Sequence, residues 1–299
     1  MAKELIGGVG PVGGPGSDRP NAPRAAVDLA DIQVPDGRLV ILTDIDGTLL
    51  RSDGTASART VRVLSALAGL GHDVVFATGR ALRDLDQVGA LTGHRGRTVC
   101  ANGAAVYDHG TRKVCRTRPF ANELLPAVLT LLARAVPEVI LAVEDLRGLR
   151  FVEGFPFTSS VEEGIPVGGL RESEVLQILA WHPRLPSEEI AGALDVALAG
   201  KAEISWGNSL GVVEVNAAGV NKGTTVAQLV AAMGRTADSV VAFGDMPNDL
   251  PVLNWAGISF AMQNAHPRVL AAVGRQAPGN DDDGVARVLE GLLGIRPAC

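Results

Sequence analysis

The chain has 299 residues, long enough for two domains, and 46% of them are hydrophobic against 20% charged, which excludes a wholly disordered chain. With 27 Lys+Arg against 33 Asp+Glu the net charge is −6, which argues against a general nucleic-acid or anionic-membrane binder. A small phosphorylated ligand stays open, because it needs only local positive charge.

Residues 1–37 read as a flexible tail, since GGVGPVGGPGSDRPNAP (7–23) cannot repay the entropy of ordering. Gly8, Gly10 and Gly13 match the dinucleotide pattern G-x-G-x-x-G, but no strand can precede them, and Pro11 and Pro15 oppose the helix that should follow. LVILT (39–43) is a continuous apolar run, as expected of a strand buried on both faces. Ser57 can cap a helix with Val61, Leu64, Leu67 and Ala68 on its inner face, closed by Gly71. DVVFA (73–77), TVCA (98–101) and SVVAF (239–243) read as further buried strands. Before the last of them, Val226, Leu229, Val230 and Met233 fall at helical spacing ahead of Gly234. Strands alternating with helices indicate a parallel α/β sheet.

Residues 87–216 are more mixed and read as an α+β insertion interrupting a core made of 38–86 and 217–299. Seven of the eleven aromatics fall inside it: Tyr107, Phe120, Phe151, Phe155, Phe157, Trp181 and Trp206. Nothing in the chain approaches the roughly 18 uninterrupted apolar residues of a membrane span, and MAKELIGG is too short an apolar stretch for a signal peptide. Cys100, Cys115 and Cys299 make no metal-spaced pair and no even framework, so a reducing cytoplasm is the expected location.

Four chemical signals stand where buried strands or helices end. Asp44-Ile45-Asp46-Gly47-Thr48 follows LVILT, and residues two apart at a strand tip point to the same side, so both carboxylates can face one cleft. Thr78-Gly79-Arg80 follows DVVFA, where a hydroxyl and the N–H groups of a helix-starting turn can hold an anion. Lys222 opens a helix, and Gly244-Asp245-Met246-Pro247-Asn248-Asp249 follows SVVAF. Ligand crevices of open parallel sheets lie at the carboxyl ends of the strands, so the four sets are expected to converge. Two carboxylates about 4 Å apart repel by about 4 kcal/mol at an effective dielectric of 20. Gathering Asp44, Asp46, Asp245 and Asp249 therefore calls for a cation, and an all-oxygen donor set beside phosphate favours Mg²⁺.

DIDGT, ATGR, the lysine of NKG and GDMPND together resemble the four ordered motifs of the haloacid dehalogenase-like (HAD) superfamily. An insertion between the second and third motifs is similar to its class IIB capped members, the Cof-type phosphatases. Ala101-Asn102-Gly103-Ala104 and Asn280-Asp281-Asp282-Asp283-Gly284-Val285-Ala286 support that subgroup. The resemblance covers about residues 38–293 and implies a Rossmann-like parallel-sheet core with an inserted α+β cap.

It also implies a Mg²⁺-dependent phosphatase acting on a small phosphorylated metabolite of the sugar phosphate, pyridoxal phosphate or flavin mononucleotide type. Asp44 would be the nucleophile, forming an aspartyl-phosphate, and Asp46 the acid and base, with its backbone carbonyl reaching the metal. Thr78, Gly79, Lys222 and Asn248 would hold the phosphoryl group. Asp245 would bind Mg²⁺ directly and Asp249 directly or from the next shell. Arg80, as a phosphate contact or an ion-pair partner of the acids, and Asn102 and Asn280, near the site, complete the candidates. Two other readings remain at this point: a phosphomutase using the same apparatus, and a non-catalytic phosphometabolite-binding protein. The residues encode neither the substrate nor the oligomeric state.

Overall fold

In a computed structural model, residues 29, 32–151, 155–156, 174–206 and 211–295 are described. The tail reading therefore lies mostly outside the described residues, as do Gly8, Gly10 and Gly13, Phe157, Cys299 and the side chain of Phe151. The described part of 1–37 differs from a free tail: Leu29, Ile32 and Val34 pack against the hydrophobic core.

The apolar run after Arg38 forms β1 (Val40–Thr43), fully buried as its composition requires. Ser57 caps α1 (Ala58–Gly69) by accepting the Thr60 N–H. The inner face of α1 is rotated from the expected one: Val63 joins Leu64 and Leu67 in the core, Val61 is half-buried and Ala68 is exposed. Two stripes one residue apart fit the helical period equally well in this Ala- and Val-rich segment, and packing chooses between them.

The chain continues through β2 (Asp73–Ala77), α2 (Leu85–Thr92), β3 (Arg97–Cys100), β4 (Ala105–Asp108) and β5 (Lys113–Thr117). Next come α3 (Leu125–Ala135), β6 (Ile140–Asp145), β7 (Gly148–Phe151), β8 (Gln177–Trp181), α4 (Ser187–Leu198), β9 (Ala202–Ser205) and β10 (Val213–Ala217). The last stretch holds α5 (Lys222–Ala232), β11 (Val240–Gly244), α6 (Leu250–Leu253), β12 (Ile258–Met262), α7 (Pro267–Ala272), β13 (Gln276–Ala277) and α8 (Gly284–Leu293).

Two sheets result. The larger has the order β13-β12-β11-β1-β2-β3-β4-β5, parallel from β13 to β3 and antiparallel through the β3-β4-β5 meander. The smaller, β7-β6-β8-β10-β9, is antiparallel throughout. The fold is thus a mixed α/β parallel-sheet core with an inserted α+β cap.

The start of the insertion at residue 87 needs correction, because α2 and β3–β5 continue the large sheet and the chain leaves it only after Thr117. Tyr107 accordingly belongs to the core. β5 is an exposed edge strand, so KVCRT carries no apolar run to mark it as sheet.

In the smaller sheet, Val143, Ile178, Ala180, Val213 and Val215 pack beneath Leu132 of α3 and Ile190, Leu194 and Leu198 of α4. Strand alternation sends Glu144, Gln177, Glu214 and Asn216 to the opposite face, and all four are buried there against the core. The joints are polar. Arg83 pairs with Glu144, Asn216 Nδ2 donates to Ala101 O (2.9 Å), and Trp206 meets His266 edge-on with ring centres 5.5 Å apart. Arg118 donates to Thr224, Thr225 and the Gly219 carbonyl, tying the chain that leaves the core to the chain that returns. Among the described residues, no helix is long and apolar enough to cross a membrane.

Candidate active site

The carboxyl ends of β1, β2 and β11 and the first residue of α5 do meet. Asp44 leaves β1 in extended conformation, its N–H donating to Phe243 O of β11. The chain then turns sharply at Gly47 (φ +73°), and a side chain there would run into the Asp245 carboxylate. That turn places Asp44, only 7% exposed, inward and Asp46 outward.

Lys222 lies at the centre, 1% exposed. Its position is set by a capping box in which Asn221 Oδ1 accepts the Thr224 N–H and the Asn221 N–H donates to the Thr224 hydroxyl oxygen. Its Nζ donates to Asp44 Oδ1 (3.0 Å) and to Asp249 Oδ1 (2.7 Å). The other oxygen of Asp249 accepts the N–H groups of Asp245 and Met246, both at 3.0 Å, so one carboxylate shapes the loop and anchors the lysine. Thr48 donates its hydroxyl to Asp245 Oδ1 at 2.6 Å.

One oxygen from each of Asp44, Asp245 and Asp249 lies within 4.8 Å of the others. Three buried carboxylates share a single lysine. Burial pushes the Asp44 carboxyl well above the usual carboxylate range, with Lys222 opposing. It carries Asp245 to about 7, helped by the neighbouring Asp249 charge. Burial alone would depress Lys222, but Asp249 and Asp44 more than reverse this and hold it above the ordinary lysine range. The excess of acid and the oxygen-only donors suit a hard divalent cation.

Asp46 stands apart from that trio. Its side chain is 55% exposed, and Arg80 grips it with two hydrogen bonds, Nε to Oδ2 at 2.7 Å and Nη2 to Oδ1 at 2.6 Å. Between the two alternatives for Arg80, the structure shows the ion pair.

Thr78 is buried and its hydroxyl accepts the Arg80 N–H at 3.0 Å. It is therefore the pivot of a tight turn and not a helix cap, since the next helical turn starts only at Leu82. The tips of β2 and β3 are laced together: Asn102 N–H donates to Thr78 O and Ala101 N–H to Arg80 O. Ala101 and Asn102 both adopt positive φ, +46° and +49°, a strain that these bonds and the Asn216 contact sustain.

Asn102 reaches further than expected. Its Oδ1 accepts from Asn248 Nδ2 (3.0 Å), and its Nδ2 donates to Glu214 Oε2 (2.9 Å) of the inserted sheet. Asn280 is not brought to the cluster. Its side chain donates to Leu50 O and its N–H donates to Asn264 Oδ1, while Asn264 donates to Gly47 O, so the pair braces the turn that carries the acids. Asp281 and Asp283 bind Ser52 and Arg51 on the same flank.

Thr48, Glu214 and Asn264 were not singled out from the sequence. Thr48 stood inside a motif already quoted. Glu214 carried a weak signal, an acid on the otherwise apolar VVEV of a buried strand.

A family profile for haloacid dehalogenase-like hydrolase matches residues 41–289. The chain is 26% identical over 265 residues to the 5-amino-6-(5-phospho-D-ribitylamino)uracil phosphatase YitU of Bacillus subtilis, covering 84% of this chain and 96% of that one. It is 26% identical over 269 residues to the pyridoxal phosphate phosphatase YbhA of Escherichia coli, covering 84% and 97%. In structure it is similar to SMU.1108c of Streptococcus mutans, with a TM-score of 0.76 at 24% identity over 86% of this chain and 100% of that one. With the profile spanning the core motifs and the insertion alike, this chain belongs to the haloacid dehalogenase-like hydrolases.

Proposed function

We propose that the protein is a phosphatase that hydrolyses small phosphomonoesters through an aspartyl-phosphate on Asp44. The observation that carries this reading is the buried Asp44–Lys222–Asp249–Asp245 cluster with the Asp46–Arg80 pair at its rim. An Asp44 oxygen attacks phosphorus, the bond to the leaving oxygen breaks, and Asp46 delivers the proton that oxygen needs. In the second half, Asp46 takes a proton from water as the water attacks phosphorus, which releases phosphate and restores Asp44.

Arg80 fixes the direction of the Asp46 carboxylate at the rim of the cluster, two residues along the chain from the nucleophile. Lys222, Thr78, the Gly79 backbone and Asn248 bind the phosphoryl oxygens and so position the ester for displacement. Mg²⁺ held by Asp44, Asp245, Asp249 and the Asp46 carbonyl would supply the positive charge that offsets these acids and the phosphoryl group. The relatives' substrates, a ribitylaminouracil phosphate and pyridoxal phosphate, support a small phosphorylated metabolite here.

The test is phosphate release from an aryl phosphate. The unchanged chain should turn over with Mg²⁺, stop with chelator and recover on re-addition. Asp44→Asn should reduce turnover by about 10³-fold or more while the protein keeps a cooperative melt. Substantial turnover by the folded Asn variant would remove Asp44 as the nucleophile.

A further inference from the structure

Lys222 is the first residue of α5, and the start of that helix is held from three sides. Arg118 stands where the chain leaves the core for the insertion, its N–H donating to Ala104 O. Its Nη1 donates to the hydroxyl oxygens of Thr224 (3.0 Å) and Thr225 (2.9 Å), and its Nη2 to Gly219 O (2.9 Å). The Thr225 hydroxyl in turn donates to Gly103 O, and a side chain on Gly103 would run into Asn221 O. From the inserted sheet, Glu203 of β9 accepts the Gly219 N–H (3.0 Å) and the Asn221 side-chain amide (3.4 Å). The departing chain, the core turn and the cap therefore all grip residues 219–225, the segment that carries Lys222.

The charge of Arg118 is badly placed for stability. A helix N-terminus carries partial positive charge, Lys222 adds a full one, and a guanidinium beside them is repelled by both. Burial pushes Arg118 below the usual arginine range, with the Arg116 charge adding to this and Glu203 opposing it. Its hydrogens go to three neutral oxygens, and among the described residues it forms no ion pair. What a guanidinium offers here is a rigid planar fork, which fixes several oxygens relative to one another as a flexible ammonium does not. Those oxygens belong to the first turn of α5 and to the loop that leads into it.

We propose, on the reading of this site as a phosphatase, that Arg118 is a positioning residue that acts through Lys222. By fixing 219–225 against the departing chain, it sets how the Lys222 ammonium meets the phosphoryl group. The attachment of the cap and the grip on phosphate then depend on one side chain.

The experiment measures inorganic phosphate as a competitive inhibitor of aryl phosphate turnover by the full chain with Mg²⁺. Arg118→Gln should raise the Ki for phosphate and the KM for the ester together, by about ten-fold, since small displacements of a binding group are costly. Arg118→Lys should do nearly the same, because it keeps the charge and loses the fork. Made on a Lys222→Gln background, Arg118→Gln should leave the dissociation constant of phosphate, read by calorimetry, unchanged, since the group it acts through is gone. Where the Arg118 or Lys222 variants fail to fold, Thr225→Val removes one acceptor of the fork and should raise Ki, while Thr225→Ser should not.

An unchanged Ki in the Arg118 variants or full rescue by Arg118→Lys would overturn the assignment. So would an undiminished loss of affinity on the Lys222→Gln background, or equal Ki values for the two Thr225 variants. Failure of the unchanged chain to release phosphate from the aryl ester counts instead against the phosphatase reading.

Discussion

A lysine with 1% exposure, bonded to two carboxylates and close to a third, is the residue on which the site's charge balance turns. Removing one partner of a buried ion pair costs about 3–5 kcal/mol, because the remaining charges are left uncompensated. Lys222→Met should therefore lower the unfolding free energy of the metal-free protein, read by urea titration, by that order as well as abolish turnover. A variant that lost activity but kept full stability would show that Lys222 contributes nothing to the charge balance. This residue was legible in the sequence only through its place among ordered motifs, since an isolated lysine at a helix start is usually solvated. Asp44, Asp245 and Asp249 were legible for a firmer reason: each ends a buried apolar run or follows one closely, and such acids must be compensated. Thr48 and Asn264 were not, because a hydroxyl or amide that supports another group leaves no pattern of spacing.

At the scale of elements, the strands with clear periods were readable and the ones at edges were not. β1, β2 and β11 are buried on both faces and announce themselves as apolar runs. β4 and β5 form an edge hairpin whose outer strand is exposed, so a composition reading assigned them to the insertion.

The joint between sheets also has a pH signature. Burial raises the Glu144 carboxyl to about 7, with Arg83 opposing the shift, against an ordinary value of 4.5. The native state then holds this proton more tightly than the unfolded chain does. The group's contribution to stability is full below about pH 4.5 and is lost as pH rises through about 7. Glu144→Gln should therefore gain stability relative to the unchanged chain between pH 5 and 8, by up to about 3 kcal/mol. Denaturation midpoints that keep a constant difference across this range would show that Glu144 has no such shift.

For the whole molecule, the start of the chain sorts into two parts. Leu29, Ile32 and Val34 pack on the core, and Leu29 lies against Gly291 of α8. Deleting residues 1–28 should leave the melting temperature and turnover unchanged, as the Gly- and Pro-rich composition suggests. Deleting 1–35 should cost on the order of 2 kcal/mol through the exposed apolar surface. Equal melting temperatures for the two truncations would show that those three side chains contribute nothing.

β1 lies in the middle of the large sheet, with Val40 opposite Asp73 on one side and Val240 on the other. Its two neighbours are therefore made at very different times. At about 5–20 residues per second, roughly 10–40 s of synthesis separate β1 from β11 on the ribosome. Throughout that interval the central strand has one bare apolar edge, an open template for pairing with another chain. The inserted sheet has its own hydrophobic core, and all its strands are complete before β11 emerges. It can fold while β1 waits, so the part of the chain best protected during synthesis is the cap, and the part most dependent on its completion is the strand that carries Asp44.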